Sequence, residues 1–220
     1  MNTKKPKTPW PTKAVMEQIY EKHLWGGKEH DFYSGEGSHH IEITEPYIVA
    51  VTSFLKSHGN QLSVCDLGCG DFNIGKELVR YSKNYIAVDI VEALIERNKN
   101  LFQSDNLSFV CLDIANDDLP EADFVILRQV LQHLSNAEIQ RILNKLTNYK
   151  YVIVTEHIPN GSFIPNKDKI ASQGNRLKQH SGVDVLAEPF HLKIRNKSIL
   201  NEVALADENG KIITLLYQMF

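Results

Sequence analysis

Cysteine is scarce in this chain and nowhere spaced for a metal. Cys65, Cys69 and Cys111 are an odd set without a C-x-x-C pair, whereas a structural zinc site draws four Cys or His ligands at tight spacing. Reduced thiols, and with them a cytoplasmic setting, are the reading. Long apolar runs are missing as well. "YVIVT" and "FVIL" are of strand length, far short of the roughly 20 residues of a membrane-spanning helix. The opening stretch "MNTKKPKTPWP" has lysines but no apolar segment behind them, so a solvated tail is expected rather than a signal peptide. Excess positive charge is absent too. Net charge is −3, with no stripe of Lys or Arg, which argues against a dedicated nucleic-acid binder.

What is present is an alternating pattern. In 220 residues, enough for one large domain, residues 12–24 read as a helix. A loop rich in glycine and aromatics, "WGGKEHDFYSGEGSHH", follows. Pro46 suits the first turn of a second helix that stops at Gly59. Strands are then expected at 62–67, 85–88, 107–111, 122–127 and 149–154. Helices fall between them at 74–81, 92–102 and, after the capping pair Ser135 and Glu138, 136–146. Strands this apolar, alternating with helices, imply a parallel sheet covered on both faces. After a polar stretch over 159–182, "KSILNEVAL" and "KIITLLYQMF" joined by "ADENG" read as an antiparallel hairpin. No internal repeat is evident.

The stretch "VCDLGCGDFNIG" closes the first strand. In open α/β sheets, ligands bind beyond the carboxyl ends of the strands beside it. Its glycines, Gly68, Gly70 and Gly75, are spaced G-x-G-x-x-x-x-G. The dinucleotide fingerprint would need a glycine where Asn73 stands, and the Gly-Lys-Ser/Thr run of a nucleotide-triphosphate loop is absent. Asp66 and Asp71 flank the loop and would oppose a pyrophosphate, but they suit a ligand carrying a cation and an ammonium group. Asp89, ending the second strand, is placed for two ribose hydroxyls. Asp113 and Ile114, after the third, are placed for an adenine edge and face. Adenine, ribose, a cation and no phosphate describe S-adenosylmethionine. The plainer alternative for each isolated acid is a helix N-cap.

From about Leu62 to His157 the chain also resembles the class I S-adenosylmethionine-dependent methyltransferases. "VCDLGCG" is similar to that family's first motif, "YIAVDI" to its second-strand acid, "FVCLDI" to its adenine acid, and "ADFVILRQVLQHLS" to its fourth strand and following helix. The resemblance implies a Rossmann-like, mostly parallel seven-stranded sheet with helices on both faces and a C-terminal antiparallel β-hairpin. It implies an N-terminal helical lid over residues 1–45 and a cofactor-binding domain over 46–220. It also implies that Gly68, Cys69 and Gly70 pass the methionine part of the cofactor, with Asp66 near its ammonium. Asp89 and Ile90 would meet the ribose and adenine, Asp113 and Ile114 the adenine, and Arg128 and Gln129 the methionine end.

The glycine-rich loop is the expected cover. Trp25, Phe32 and Tyr33 would close over the cofactor, unless they simply anchor a surface loop. His133 and His157, and less so His39, are candidate bases for taking a proton from an acceptor; structural histidines are the alternative. Small-RNA 2′-O-methyltransferases carry Glu-x-x-Glu-His after the fourth strand. Here "RQVLQH" puts Gln132 where the acid before His133 would stand, so no metal is expected. The Asn/Asp-Pro-Pro-Tyr run of amino-methylating DNA enzymes is absent. The expected activity is methyl transfer to O or N of a small molecule, with Trp25, His39 and Arg176 on the acceptor side and Arg176 pairing an acidic acceptor. The alternatives are a protein or RNA methyltransferase, and a non-catalytic binding domain of the same fold.

Overall fold

The computed structural model describes residues 9–205 and 210–220. The lysines of the opening tail and the tip of the hairpin therefore lie outside the described residues. Seven strands form one sheet in the order β3-β2-β1-β4-β5-β7-β6. They are β1 (Val64–Leu67), β2 (Tyr85–Asp89), β3 (Leu107–Cys111), β4 (Phe124–Arg128), β5 (Tyr151–Pro159), β6 (Asn196–Ala204) and β7 (Gly210–Gln218). The first five are parallel, and β7 joins β5 and β6 antiparallel. This is the Rossmann-like sheet with a terminal hairpin that the sequence implies.

Period-two alternation splits each central strand between two cores. Cys65, Leu67, Val125, Leu127, Val152 and Val154 face one cluster, while Val64, Phe124, Ile126 and Ile153 face the other. The first is covered by α1 (Thr12–Glu21) and α5 (Asn136–Leu146), the second by α2 (Ile41–Ser57) and α3 (Gly75–Leu78). α4 (Glu92–Leu101) gives Leu94 to one cluster and Ile95 to the other. The capping pair forms as the sequence suggests: the Ser135 side chain and Glu138 satisfy each other's backbone N–H groups at the start of α5.

Two boundaries differ. α2 begins at Ile41, five residues before Pro46, and α1 stops at Glu21. Proline leaves the carbonyl four residues back without a donor. That carbonyl belongs to Glu42, an exposed residue in the first turn of the helix. The boundary expected at residue 45 thus falls inside a helix. β5 runs to Pro159 because β7 pairs along its whole length, which puts His157 within the strand rather than after it. No helix among the described residues is long and apolar enough to cross a membrane.

Candidate functional site

A cavity of about 430 Å³ lies where the carboxyl ends of β1, β2, β3 and β4 meet segments 34–38 and 173–175, a size typical of small-ligand sites. β1 and β4, adjacent here, are where the strand order reverses. The glycine loop forms its floor. Gly68 and Gly70 have φ of +86° and +56°, which a side chain would strain. A Cβ would also stand 2.4 Å from Val130 at the first and 2.3 Å from the Ser34 hydroxyl at the second. Glycine is therefore required by how closely the loop packs against the exit of β4 and against the segment above it.

Three carboxylates reach this cavity from successive strands. Asp66 accepts a bond from the Tyr85 hydroxyl at 2.8 Å. Burial pushes its pKa up to about 6, against the opposing pull of the Tyr85 bond and Arg128. Asp89 accepts the backbone N–H groups of Gly70 and Val91, both at 3.1 Å, and burial raises it as well. Asp113 closes its own turn, accepting from Ala115 N at 2.9 Å and Asn116 Nδ2 at 2.7 Å. It therefore closes a turn, with no helix after it to cap, while still lining the cavity.

The cover is seated on the floor by hydrogen bonds rather than by aromatic contact. Asp71, 4% exposed, accepts from Ser34 N at 2.8 Å and pairs with His39 Nε2 at 2.6 Å. Asp71 N donates in return to the Ser34 hydroxyl at 2.8 Å, and Asn73 Nδ2 donates to Ser38 O at 2.8 Å. Arg128 donates to the Ser38 hydroxyl at 3.1 Å and to Gly37 O, with its guanidinium over the Tyr47 ring. Gln129, at the exit of β4, has a φ of 56°, a strained backbone of the kind found at ligand sites; its N–H donates to Thr155 O at 2.7 Å.

A second wall comes from the short turn Leu131–His133, β5 and segment 172–175. His133 packs against Trp25 with ring centroids 5.1 Å apart. Its Nδ1 lies 3.2 Å from Ser172 O, which can only accept, and the Gly174 backbone also faces the ring; the Ser172 contact assigns the proton to Nδ1 and the lone pair to Nε2. Burial, with Lys169 and Arg176 nearby, holds the ring down to about 4, so it is neutral at pH 7. Gln132 Nε2 lies 3.3 Å from His133 Nε2, and Gln132 Oε1 accepts His157 N at 3.2 Å. Asn175 Nδ2 lies 3.4 Å from His157 Nδ1.

Asp66, Gly68, Cys69, Gly70, Asp89, Ile90, Asp113, Ile114, Arg128, Gln129, His133, His157 and Trp25 thus line one cavity. Four expected contacts do not. Phe32 packs edge-on against Tyr20 instead. Tyr33 is stacked inside the cover between His30 and His39 and donates to Glu36 at 2.8 Å. His39 is committed to Asp71. Arg176, expected at an acidic acceptor, is 1% exposed and spends its donors on backbone carbonyls and Asn136. Lining residues not singled out from the sequence include Tyr20, Ser34, Gln132 and Asn175. Tyr20 lies on the apolar stripe of α1, where nothing but its hydroxyl, 3.1 Å from Ser34, marks it. Among the described residues no cluster of three His, Cys, Asp or Glu side chains could hold a metal ion.

Residues 64–149 match the family described as "Methyltransferase domain". The chain is 30% identical over 148 residues to phosphoethanolamine N-methyltransferase 1 of Zea mays, a match covering 61% of this chain and 28% of that one. It is 32% identical over 98 residues to carboxy-S-adenosyl-L-methionine synthase of Vibrio vulnificus, covering 42% and 40%. The matched part spans less than half the length of these relatives. Among solved structures, the N-methyltransferase NodS of Bradyrhizobium japonicum in complex with S-adenosylhomocysteine aligns with a TM-score of 0.63. It is 10% identical, over 93% of this chain and 98% of that one, so the fold is shared even where the sequence is not.

Proposed function

From the match of residues 64–149 to a methyltransferase domain and the order of the sheet, we propose that this chain transfers a methyl group from S-adenosylmethionine to an oxygen or nitrogen of a small-molecule acceptor. The observation that carries the reading is a single cavity that joins Asp89, the glycine loop and Asp66 to the wall bearing His133. Its donor set suits the cofactor. Asp66 faces an ammonium, and Asp89 faces ribose hydroxyls. The buried Nε2 of Gln129 and Nε of Arg128, which meet no acceptor among the described residues, face a carboxylate. A dinucleotide suits the same cavity poorly, because Asp66, Asp71, Asp89 and Asp113 line it against Arg128 alone among fixed cations.

Bound there, S-adenosylmethionine supplies an electrophilic methyl carbon on a sulfonium. The protein's part is alignment and exclusion of water. The hydrogen-bonded cover over Gly70 excludes solvent, and the wall of Trp25, Gln132, His133 and His157 orients the acceptor. His133, neutral, has its Nε2 lone pair beside the Gln132 amide, so an incoming hydroxyl or amine takes the place of that amide to donate to Nε2, and His157 stands beside it within reach of Asn175. A ring held this far below its ordinary pKa is a weak base. Its share is therefore orientation of the nucleophile, with full proton removal left to the moment the new bond forms. The relatives named for methyl transfer to a small amine support an acceptor of that size.

Calorimetric titration of wild type and Asp89→Ala with S-adenosylmethionine, S-adenosylhomocysteine and NAD tests the reading. Binding of the two sulfur ligands but not NAD, weakened at least about tenfold in the variant, is expected. Absence of binding by either sulfur ligand would overturn it.

A further inference from the structure

The turn Leu131–His133 carries Gln132 and His133 to the cavity, yet what holds the turn lies outside the cavity. Arg176 enters beneath it from the long segment between β5 and β6. Its Nη1 donates to the carbonyls of Leu131 at 3.2 Å and Gln132 at 3.1 Å. Its Nη2 donates to Leu134 O at 2.7 Å and Asn136 Oδ1 at 3.1 Å, and Nε donates to Lys167 O at 3.0 Å. From the other side Glu156, 2% exposed on β5, accepts Leu131 N at 3.1 Å. A buried guanidinium with five partners is a rigid fork. Two of those partners are carbonyls of the turn and a third, Leu134 O, follows it directly, so the fork sets the peptide planes from which Gln132 and His133 project.

The geometry points to Arg176, with Glu156 as its counterpart, as the positioning residue that fixes the orientation of His133 and Gln132 on the acceptor wall. The consequence for His133 is specific. With the turn clamped, Nδ1 stays on Ser172 O, and Nε2 stays beside the Gln132 amide. Trp25 covers the ring, and the charged groups facing it are Lys169 and Arg176. Lys169 itself is tied down by bonds to Gln132 O and Gly174 O. The functional meaning rests on the proposed methyl transfer only in placing the acceptor against His133; the clamp can be tested without any acceptor.

The test is imidazole nitrogen NMR of the full chain against pH, with His133 assigned by His133→Asn, in wild type and Arg176→Lys. Lysine keeps the charge but cannot reach carbonyls on both sides of the turn, so a change in His133 reports lost positioning rather than lost charge. In wild type His133 is expected to keep one proton, on Nδ1, well below pH 6. In Arg176→Lys its midpoint is expected to move about one unit or more toward the ordinary value, with both tautomers populated. S-adenosylhomocysteine affinity is expected to stay within about twofold, measured alongside. An unchanged His133 in folded Arg176→Lys would overturn the proposal, and so would an affinity loss of about tenfold or more, which would mark general collapse of the cavity. If Arg176→Lys does not fold, the wild-type spectrum decides: a His133 that titrates in the ordinary range with mixed tautomers overturns the proposal, and a fixed Nδ1–H tautomer upholds it. Failure of the sulfur ligand to bind wild type would remove the proposed methyl transfer while leaving the His133 result standing.

Discussion

A carboxyl sealed from water but within reach of a ligand's ammonium titrates with that ligand. On the proposed cofactor reading Asp66 is such a group, pushed up to about 6 by burial. A bound ammonium favours the carboxylate and lowers that value. The raised free-state pKa means that affinity is full above about pH 6 and weakens as pH falls through it, by up to about tenfold per unit. Calorimetry with S-adenosylhomocysteine at pH 5 and pH 7 should show this drop, and Asp66→Asn should bind more weakly with a flatter pH dependence. Placement at the cavity was legible in the sequence where position on a strand dictates it. The loop after β1 and the last residue of β2 must reach the cavity in this fold. It was not legible where a side chain has long reach. Nothing in the spacing of Arg176 says whether its guanidinium turns outward to a ligand or inward to five partners, and Asp113 serves its turn and the cavity at once.

At the scale of elements, the strands were the readable part, since a buried strand's apolar run carries its own signature. β2 falls within one residue of its expected bounds, and α5 starts at its capping pair. Pro46 misled because a proline near a helix start fixes that start only to within a turn or two, and here five residues of the helix precede it. The segment over the cavity was recognisable as a cover from its glycines and aromatics. Its fastening was not, because Asp71 is 37 residues from Ser34 and 32 from His39. That fastening makes a prediction. Asp71→Asn keeps the shape but loses the charge-assisted bond to His39 and weakens the one to Ser34. Amide exchange of residues 34–39 should accelerate about tenfold or more, and S-adenosylhomocysteine should dissociate faster in stopped flow. Exchange at the wild-type rate would mean that Asn73 and Arg128 hold the segment unaided.

For the whole molecule, the sheet's two cores leave ionisable groups sealed between them and the C-terminal hairpin. Glu156 is the extreme case, raised by burial to about 8, against the pull of Arg176 and its backbone bonds. A carboxyl whose folded pKa lies above its unfolded one keeps its proton while the unfolded chain has lost it. Stability therefore falls as pH rises from about 4.5 to about 8. Glu156→Gln removes that slope while still accepting from Leu131 N. Urea unfolding at pH 5 and pH 8 should show a variant whose stability changes less between them, by on the order of a few kcal/mol, and parallel curves would contradict it. The fastened cover has a consequence of its own for traffic. Ser34, Gly37 and Ser38 line the cavity while bonded to the floor beneath and to Arg128 beside it. Whatever lies against the glycine loop is shut in until those bonds open together. On the proposed methyl transfer, arrival and departure then become a queue: the cofactor enters first, the acceptor comes and goes in between, and the spent cofactor leaves last.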